Sequence, residues 1–328
     1  MACGLLVSSE HLKPMRRQHT ISQPVSCSGI GLHTGQPVTL TLTPAPPDTG
    51  IVFVRHQAGG TTVSLSASIG NLVATELCTA LSVNGSVIKT VEHVLAALMG
   101  LDVDNVFVEL DGGEVPAMDG SAGAFVRLIR KAGIVAQDRP QPYLKILRPI
   151  EVVDGKRRVI IEPSATARIT YHVEYNHPMI QRQSYVYDCS AHTFERDIAD
   201  ARTFAFLKEV EALWARGLAK GGSLDNTIVL AERDILNQSG LRFPDEFVRH
   251  KVLDLIGDVA LLGVPFIGHL IADRSGHALH TKLVERILQE RDSWVLLQTD
   301  EEPATVPSMP HAAFPAHVPS PSVSVSAL

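Results

Sequence analysis

Nothing in this 328-residue chain approaches the roughly 20 consecutive apolar residues that a membrane-crossing helix needs. The longest apolar run, Val259 to Ile267, is interrupted by Gly263 and Pro265. No export signal is expected either: the short apolar patch Gly4–Val7 precedes the basic pair Arg16–Arg17, the reverse of a secretory leader. A strong charge of one sign is also lacking. Lys and Arg number 29 against 35 Asp and Glu, leaving −6, which argues against a nucleic-acid binder that would need a basic face. Paired cysteines are absent as well. Cys3, Cys27, Cys78 and Cys189 have no disulfide or zinc-knuckle spacing and read as free thiols of a cytoplasmic protein.

What is there is an ordinary globular composition, 45% hydrophobic and 20% charged, in a chain long enough for two domains. Val38–Thr43 alternates strictly, ends at Pro44 and is followed by a strand at Ile51–Val54. Arg158–Glu162 ends at Pro163 and is followed by the alternating Ile169, Tyr171, Val173 and Tyr175. Turn residues precede both units, Thr34-Gly35 in one and Asp154-Gly155 in the other. The repetition points to two related α+β halves, with Gln137–Pro142 as the linker between them.

Helices are expected over Val91–Leu98 with Thr90 as cap and Gly100 as stop, and over Ser121–Lys131, Leu207–Arg216, Pro244–Leu262 and Thr281–Glu290. Residues 1–15 read as an N-terminal extension and 16–138 as a first α+β domain. Residues 139–300 read as a second, and the proline-rich 301–328 as a disordered tail.

The chemistry concentrates in the stretch 245–258. On a helix His250 and Asp254 lie one turn apart on one face and can converge on a cation, and Asp258 extends the stripe. Phe247, Val248, Val252, Leu253, Leu255 and Ile256 bury that helix, so its charges call for a metal or an ion pair. Glu92-His93 at the start of an apolar helix supplies a second imidazole and a carboxylate. Two histidines and an aspartate leave a zinc position open for water, the catalytic arrangement. Taken alone, a His-x-x-x-Asp pair is more often an ordinary helix ion pair. In Arg274–Leu279, Gly276 is expected to present His277 from a loop, where a carboxylate such as Asp258 can tune it as a general acid.

Several strings occur in a fixed order: Gly-Ile-Gly-Leu-His-Thr-Gly (29–35), Leu-Cys-Thr (77–79), Thr-Val-Glu-His (90–93), Met-Asp-Gly-Ser (118–121), Asn-His-Pro (176–178), Ala-Arg-Thr-Phe (201–204), Gly-Gly-Ser (221–223), Phe-Val-Arg-His-Lys-Val-Leu-Asp (247–254) and Ser-Gly-His-Ala-Leu (275–279). Together they resemble the zinc-dependent UDP-3-O-acyl-N-acetylglucosamine deacetylases of Gram-negative bacteria, over residues 16–298.

The resemblance implies two related domains, each a β-sheet layered with two helices, with the active site between them. It implies hydrolysis of the N-acetyl group of UDP-3-O-(3-hydroxyacyl)-N-acetylglucosamine, giving the free amine and acetate, in lipid A biosynthesis. His93, His250 and Asp254 are implied as ligands of Zn²⁺, for which Fe²⁺ can compete. Glu92 is implied as general base, His277 as acid with Asp258 tuning it, Thr203 as oxyanion donor, and Lys251 as a positive group near substrate. Tyr175, Phe204, Arg274 and Cys78 are carried as substrate-binding candidates, and an insertion over Phe206–Leu230 as the passage for the acyl chain. The partner implied is the acylated UDP-sugar, with no obligatory protein partner. A zinc amidohydrolase with another acylated substrate stays open on the sequence.

Overall fold

Alternation of side chains across each strand decides the two main sheets. Val38, Leu40 and Leu42 are buried while Thr39, Thr41 and Thr43 face outward, and Ile169, Tyr171 and Val173 repeat the pattern in the other half. In the computed structural model, which describes residues 16–57 and 60–297, each half builds a five-stranded sheet. In the first, the spatial order is Val25–Ile30, Pro37–Pro44, Val106–Leu110, Ile51–His56, Thr62–Ser66. In the second it is Ile150–Asp154, Arg157–Glu162, His269–Asp273, Arg168–Tyr175, Gln181–Asp188. The central strand of each sheet is the last in sequence, antiparallel to one neighbour and parallel to the other. Identical order and sense in both sheets make the halves topological copies, as the repeated strand units predict. Gly35 and Gly155 both have positive φ, 66° and 60°, so each hairpin turns on a residue that can enter that region cheaply.

Six helices complete this α+β fold among the described residues: α1 (Glu92–Gly100), α2 (Gly123–Ala132), α3 (Ala191–Asp197), α4 (Leu207–Ala215), α5 (Glu246–Val259) and α6 (His277–Gln289). α2 packs on Val25–Ile30, α5 on Arg168–Tyr175 and Gln181–Asp188, and α6 on Ile150–Asp154 and Arg157–Glu162. α1 lies along α5 and joins the halves. Their approach is close. A Cβ added at Gly257 of α5 would stand 2.0 Å from the backbone oxygen of Glu92, so only glycine fits where the helices cross. No helix among the described residues is long and apolar enough to cross a membrane.

Three expectations are corrected. The segment expected as a linker belongs mostly to a strand, Ile134–Pro140, which pairs antiparallel with Arg17–Ile21; backbone pairing overrides its polar composition. Thr90 does not cap α1. It sits at φ 59° and turns its hydroxyl to the Glu114 carboxylate at 2.8 Å. α6 begins at His277, four residues before the expected Thr281, so His277 opens a helix instead of standing on a loop. α3, which was not anticipated, is capped by Ser190 Oγ accepting from the Thr193 N–H. Phe206–Leu230 folds as a strand–α4–strand unit with its strands parallel. The expected N-terminal extension and disordered tail lie outside the described residues.

Candidate metal centre and its surroundings

α1 contributes His93 and α5 contributes His250 and Asp254, all buried. The Asp254 Oδ1 atom lies 3.6 Å from His93 Nε2 and 3.3 Å from His250 Nε2, and the two rings meet edge to face at 5.1 Å. Local bonding prepares each donor. His250 Nδ1 donates to the Ala201 carbonyl at 3.0 Å, which places its lone pair on Nε2. Burial depresses the His250 pKa to about 3 despite Asp254, so the ring is neutral and able to ligate. Lys251 Nζ donates to the outer oxygen of Asp254, Oδ2, at 2.8 Å, leaving Oδ1 for the imidazoles' side. Although burial opposes it, His250 and Lys251 hold that carboxyl well below the usual range. Two nitrogens and one carboxylate oxygen, buried and within 4.8 Å of one another, fit a divalent borderline metal.

Glu92 precedes His93 and is buried beside it, its Oε2 accepting from the Thr79 N–H at 3.0 Å. Burial raises its pKa, with His277 and His93 pulling it down and Asp258 and Asp254 pushing it further up. A carboxylate raised above its ordinary range is a stronger acceptor for a proton than an exposed one. Facing it is His277, whose Nδ1 donates to Asp258 Oδ2 at 2.7 Å. Burial opposes the imidazolium, but Asp258 overrides this and lifts His277 to about 9, while Asp258 itself falls to about 2. A carboxylate kept high and an imidazole kept protonated therefore flank a triad of donors that could hold a metal ion.

The Ala201–Phe204 segment is fixed by a buried ion pair. Arg202 donates to both oxygens of Glu246, from Nε at 2.8 Å and from its terminal nitrogen at 3.0 Å, and Glu246 also accepts the Arg202 N–H at 3.0 Å. Thr203 is thereby placed two residues beyond Ala201, whose carbonyl holds His250, with its own N–H on the Gly120 carbonyl at 2.9 Å. Phe204 lies 6.4 Å from the His250 ring and 5.8 Å from Tyr175, and Lys251 Nζ sits 5.5 Å from its centroid. Tyr175 and Phe204, picked from separate motifs, thus share one aromatic wall.

The remaining candidates are placed differently. Arg274 is turned to Glu174 and Asp273, each at 3.1 Å, and has no contact with the His277–Asp258 pair among the described residues. Cys78 is buried and its thiol is pushed up to about 12 by that burial, the behaviour of a packing residue. Two residues that sequence reasoning passed over do belong to the site. Thr79 gives its hydroxyl to Asp258 Oδ1 at 2.5 Å, and His280 Nδ1 reaches Asp258 Oδ2 at 2.8 Å. The i, i+3 spacing of His277 and His280 was the available signal, hidden by the late start expected for α6. The turn at His33 is a framework: its N–H and the Thr34 N–H and hydroxyl all bind Glu114.

Comparison with known proteins decides the family. Residues 18–289 match LpxC, the UDP-3-O-acyl N-acetylglycosamine deacetylase family. The chain belongs to this family. Its relatives include the UDP-3-O-acyl-N-acetylglucosamine deacetylase of Myxococcus xanthus, 50% identical over 83% of this chain and 87% of the relative. That of Syntrophotalea carbinolica is 46% identical over 87% and 92%, and that of Geotalea uraniireducens 44% over 93% and 97%. The deacetylase family's fold, two related α+β halves with a polar centre at their junction, is what the two sheets and the α1–α5 contact build. Because the match runs through both halves, it takes in His93 of α1 together with His250 and Asp254 of α5.

Proposed function

We propose that this deacetylase-family chain hydrolyses the N-acetyl group of UDP-3-O-(3-hydroxyacyl)-N-acetylglucosamine, giving the free amine and acetate, in the cytoplasm as a step of lipid A biosynthesis. The observation that carries this reading is the convergence of His93 from one half with His250 and Asp254 from the other, flanked by Glu92 and His277. The donor set suits Zn²⁺, and Fe²⁺ takes the same ligands. When bound, the ion acts as a Lewis acid that polarises the amide carbonyl and makes water more acidic.

The chain's own residues do the rest. Glu92 accepts the proton of the attacking water. His277, charged at neutral pH, delivers a proton from Nε2 to the departing nitrogen, its Nδ1 being held by Asp258. The Thr203 hydroxyl donates to the oxygen that gains charge as the carbonyl becomes tetrahedral, a contribution on the order of 3 kcal/mol for such a donor. Lys251 acts through Asp254, orienting a ligand. Tyr175 and Phe204 present aromatic faces to the nucleotide sugar. Leu207 and Trp214, 45% and 56% exposed on α4, offer apolar surface to the acyl chain in the unit over Phe206–Leu230. Residues 16–138 and 139–300 serve as the two domains, and residues from both enter the site.

The test is acetate release from the acylated UDP-aminosugar by metal-loaded protein. Activity should vanish with chelator and return with added Zn²⁺. Folded, metal-loaded protein that releases no acetate from this substrate, yet cleaves another acylated amide, would refute the substrate assignment.

A further inference from the structure

His280 is fully buried, four atoms converge on it and Asp258, and the reaction outlined above gives it no part. Its two ring nitrogens face different chemistry. Nε2 faces two hydroxyls, Ser275 Oγ at 2.9 Å and Tyr171 Oη at 3.2 Å, and since the tyrosine proton goes to the Ser275 carbonyl, the Ser275 hydroxyl is the one free to donate to it. Among the described residues Nδ1 faces only the Asp258 carboxylate, at 2.8 Å, which has no proton to give at neutral pH. The ring proton therefore sits on Nδ1. Tyr171 and Ser275 are themselves fixed, the tyrosine donating to the Ser275 carbonyl at 2.9 Å.

We propose that His280 is a positioning residue for the proton donor of this site, pinning the Asp258 carboxylate through Nδ1–H so that Oδ2 stays aimed at His277. This rests on the reading of His277 as the acid. Asp258 is held at three points: Thr79 Oγ1 on Oδ1 at 2.5 Å, and His277 and His280 on Oδ2 at 2.7 and 2.8 Å. One anchored donor on each oxygen fixes the rotation of the carboxylate, and with it the direction in which His277 Nε2 points. The second donor on Oδ2 also spreads the charge that His277 feels. Removing it leaves His277 as the sole partner of that oxygen, so His277 should become more basic even as the carboxylate gains freedom to turn. A packing residue of the same volume would do neither. The other titratable groups around the two imidazoles are Glu92 on α1, Asp254 on α5 and Tyr171 on the strand Arg168–Tyr175. None of them is changed in the variants below.

His280→Phe keeps the ring volume and removes the donor, whereas His280→Asn restores an N–H near the place of Nδ1. Both are compared as metal-loaded protein by pH–rate profile and by the NMR titration of His277. For His280→Phe the expected result is a kcat lower by about tenfold with KM within about twofold, and a basic limb moved up by about half a unit or more. The NMR titration of His277 should move with it, and His280→Asn should bring all three back toward wild type. Ser275→Ala frees Nε2 without touching the core and should shift the limb in the same direction by less, so it carries the test if His280→Phe fails to fold. The proposal is overturned if folded His280→Phe, or Ser275→Ala in its place, titrates His277 at the wild-type pH, or if His280→Asn is no better than His280→Phe. His277→Gln separates this from the broader reading. Full activity in that variant removes the acid itself, whereas an inactive His277→Gln beside an unshifted His280→Phe removes only the role of His280.

Discussion

Replacing Gly257 by alanine tests whether the α1–α5 contact sets the geometry of the metal centre. The added Cβ would stand 2.0 Å from the Glu92 backbone oxygen, 2.7 Å from its carbonyl carbon and 2.9 Å from its Cα, where ordinary contact begins at 3.4 Å. All three are backbone atoms, so no side-chain rotation relieves the clash. α1 must move off α5 by roughly 1.4 Å, the difference between 2.0 and 3.4 Å. Overpacking of this kind costs about 1–3 kcal/mol, while alanine in place of glycine inside a helix returns about 1 kcal/mol. The net loss is about 0–2 kcal/mol, a fall in melting temperature of at most ~8 °C for a protein of this size.

Metal binding should suffer more, because α1 carries His93 and α5 carries the other two ligands. A nitrogen–zinc bond of about 2.0–2.1 Å does not tolerate a displacement of that size, and affinity should fall at least tenfold, on the scale of lost outer-shell support. The assay is a competitive titration of Zn²⁺ against a chromogenic chelator, alongside melting of the metal-free protein. Gly257→Ala with wild-type metal affinity and an unchanged melting temperature would refute the argument that this helix crossing sets the site.

Other outcomes are expected. Turnover should fall as pH rises through about 9, where His277 loses its proton, and on the acid side above the ordinary carboxylate value, since Glu92 is raised. A pH–rate profile with no loss between pH 8 and ~10 would contradict the first of these. The His277–Asp258 pair also links stability to pH in the metal-free protein. Because the His277 pKa is raised from 6.5 to about 9, its contribution is complete below 6.5 and is lost as pH climbs through about 9, as chemical denaturation should record. Glu92→Gln should keep its metal and lose turnover by at least about a hundredfold, measured by acetate release on protein of verified metal content. Glu246→Gln breaks a buried ion pair and should cost about 3–5 kcal/mol in denaturant unfolding; a loss below about 1 kcal/mol would deny the Arg202–Glu246 pair its structural role.

How much was legible in the sequence depends on the range of the interaction responsible. Strict alternation at Val38–Thr43 and Ile169–Tyr175 is a local signal, and it located paired sheets correctly because one face of each is buried. The one-turn spacing of His250 and Asp254 is local as well. His93 could be picked from its place on an apolar helix as a candidate, but that it would meet them was supported by the family's motifs, since residues 93 and 250 are brought together by helix packing that no local pattern encodes. Thr90 shows the limit of propensity: threonine is a good cap, yet the buried Glu114 carboxylate captured its hydroxyl. His280 was missed because a glycine at position 276 was read as a loop signal, when it stands directly ahead of α6 and the first turn of that helix aligns both histidines on Asp258. Arg274 was picked on charge, and its pairing with Glu174 and Asp273, acids that two neighbouring strands provide, was not readable from its own segment.

The most direct measurement is the metal content of the purified chain and its His93→Ala variant, by elemental analysis after dialysis at limiting free Zn²⁺. A centre shared between α1 and α5 predicts one ion per wild-type chain and near-complete loss from His93→Ala while the protein stays folded. A folded His93→Ala that retains a full equivalent of metal at wild-type affinity would contradict it.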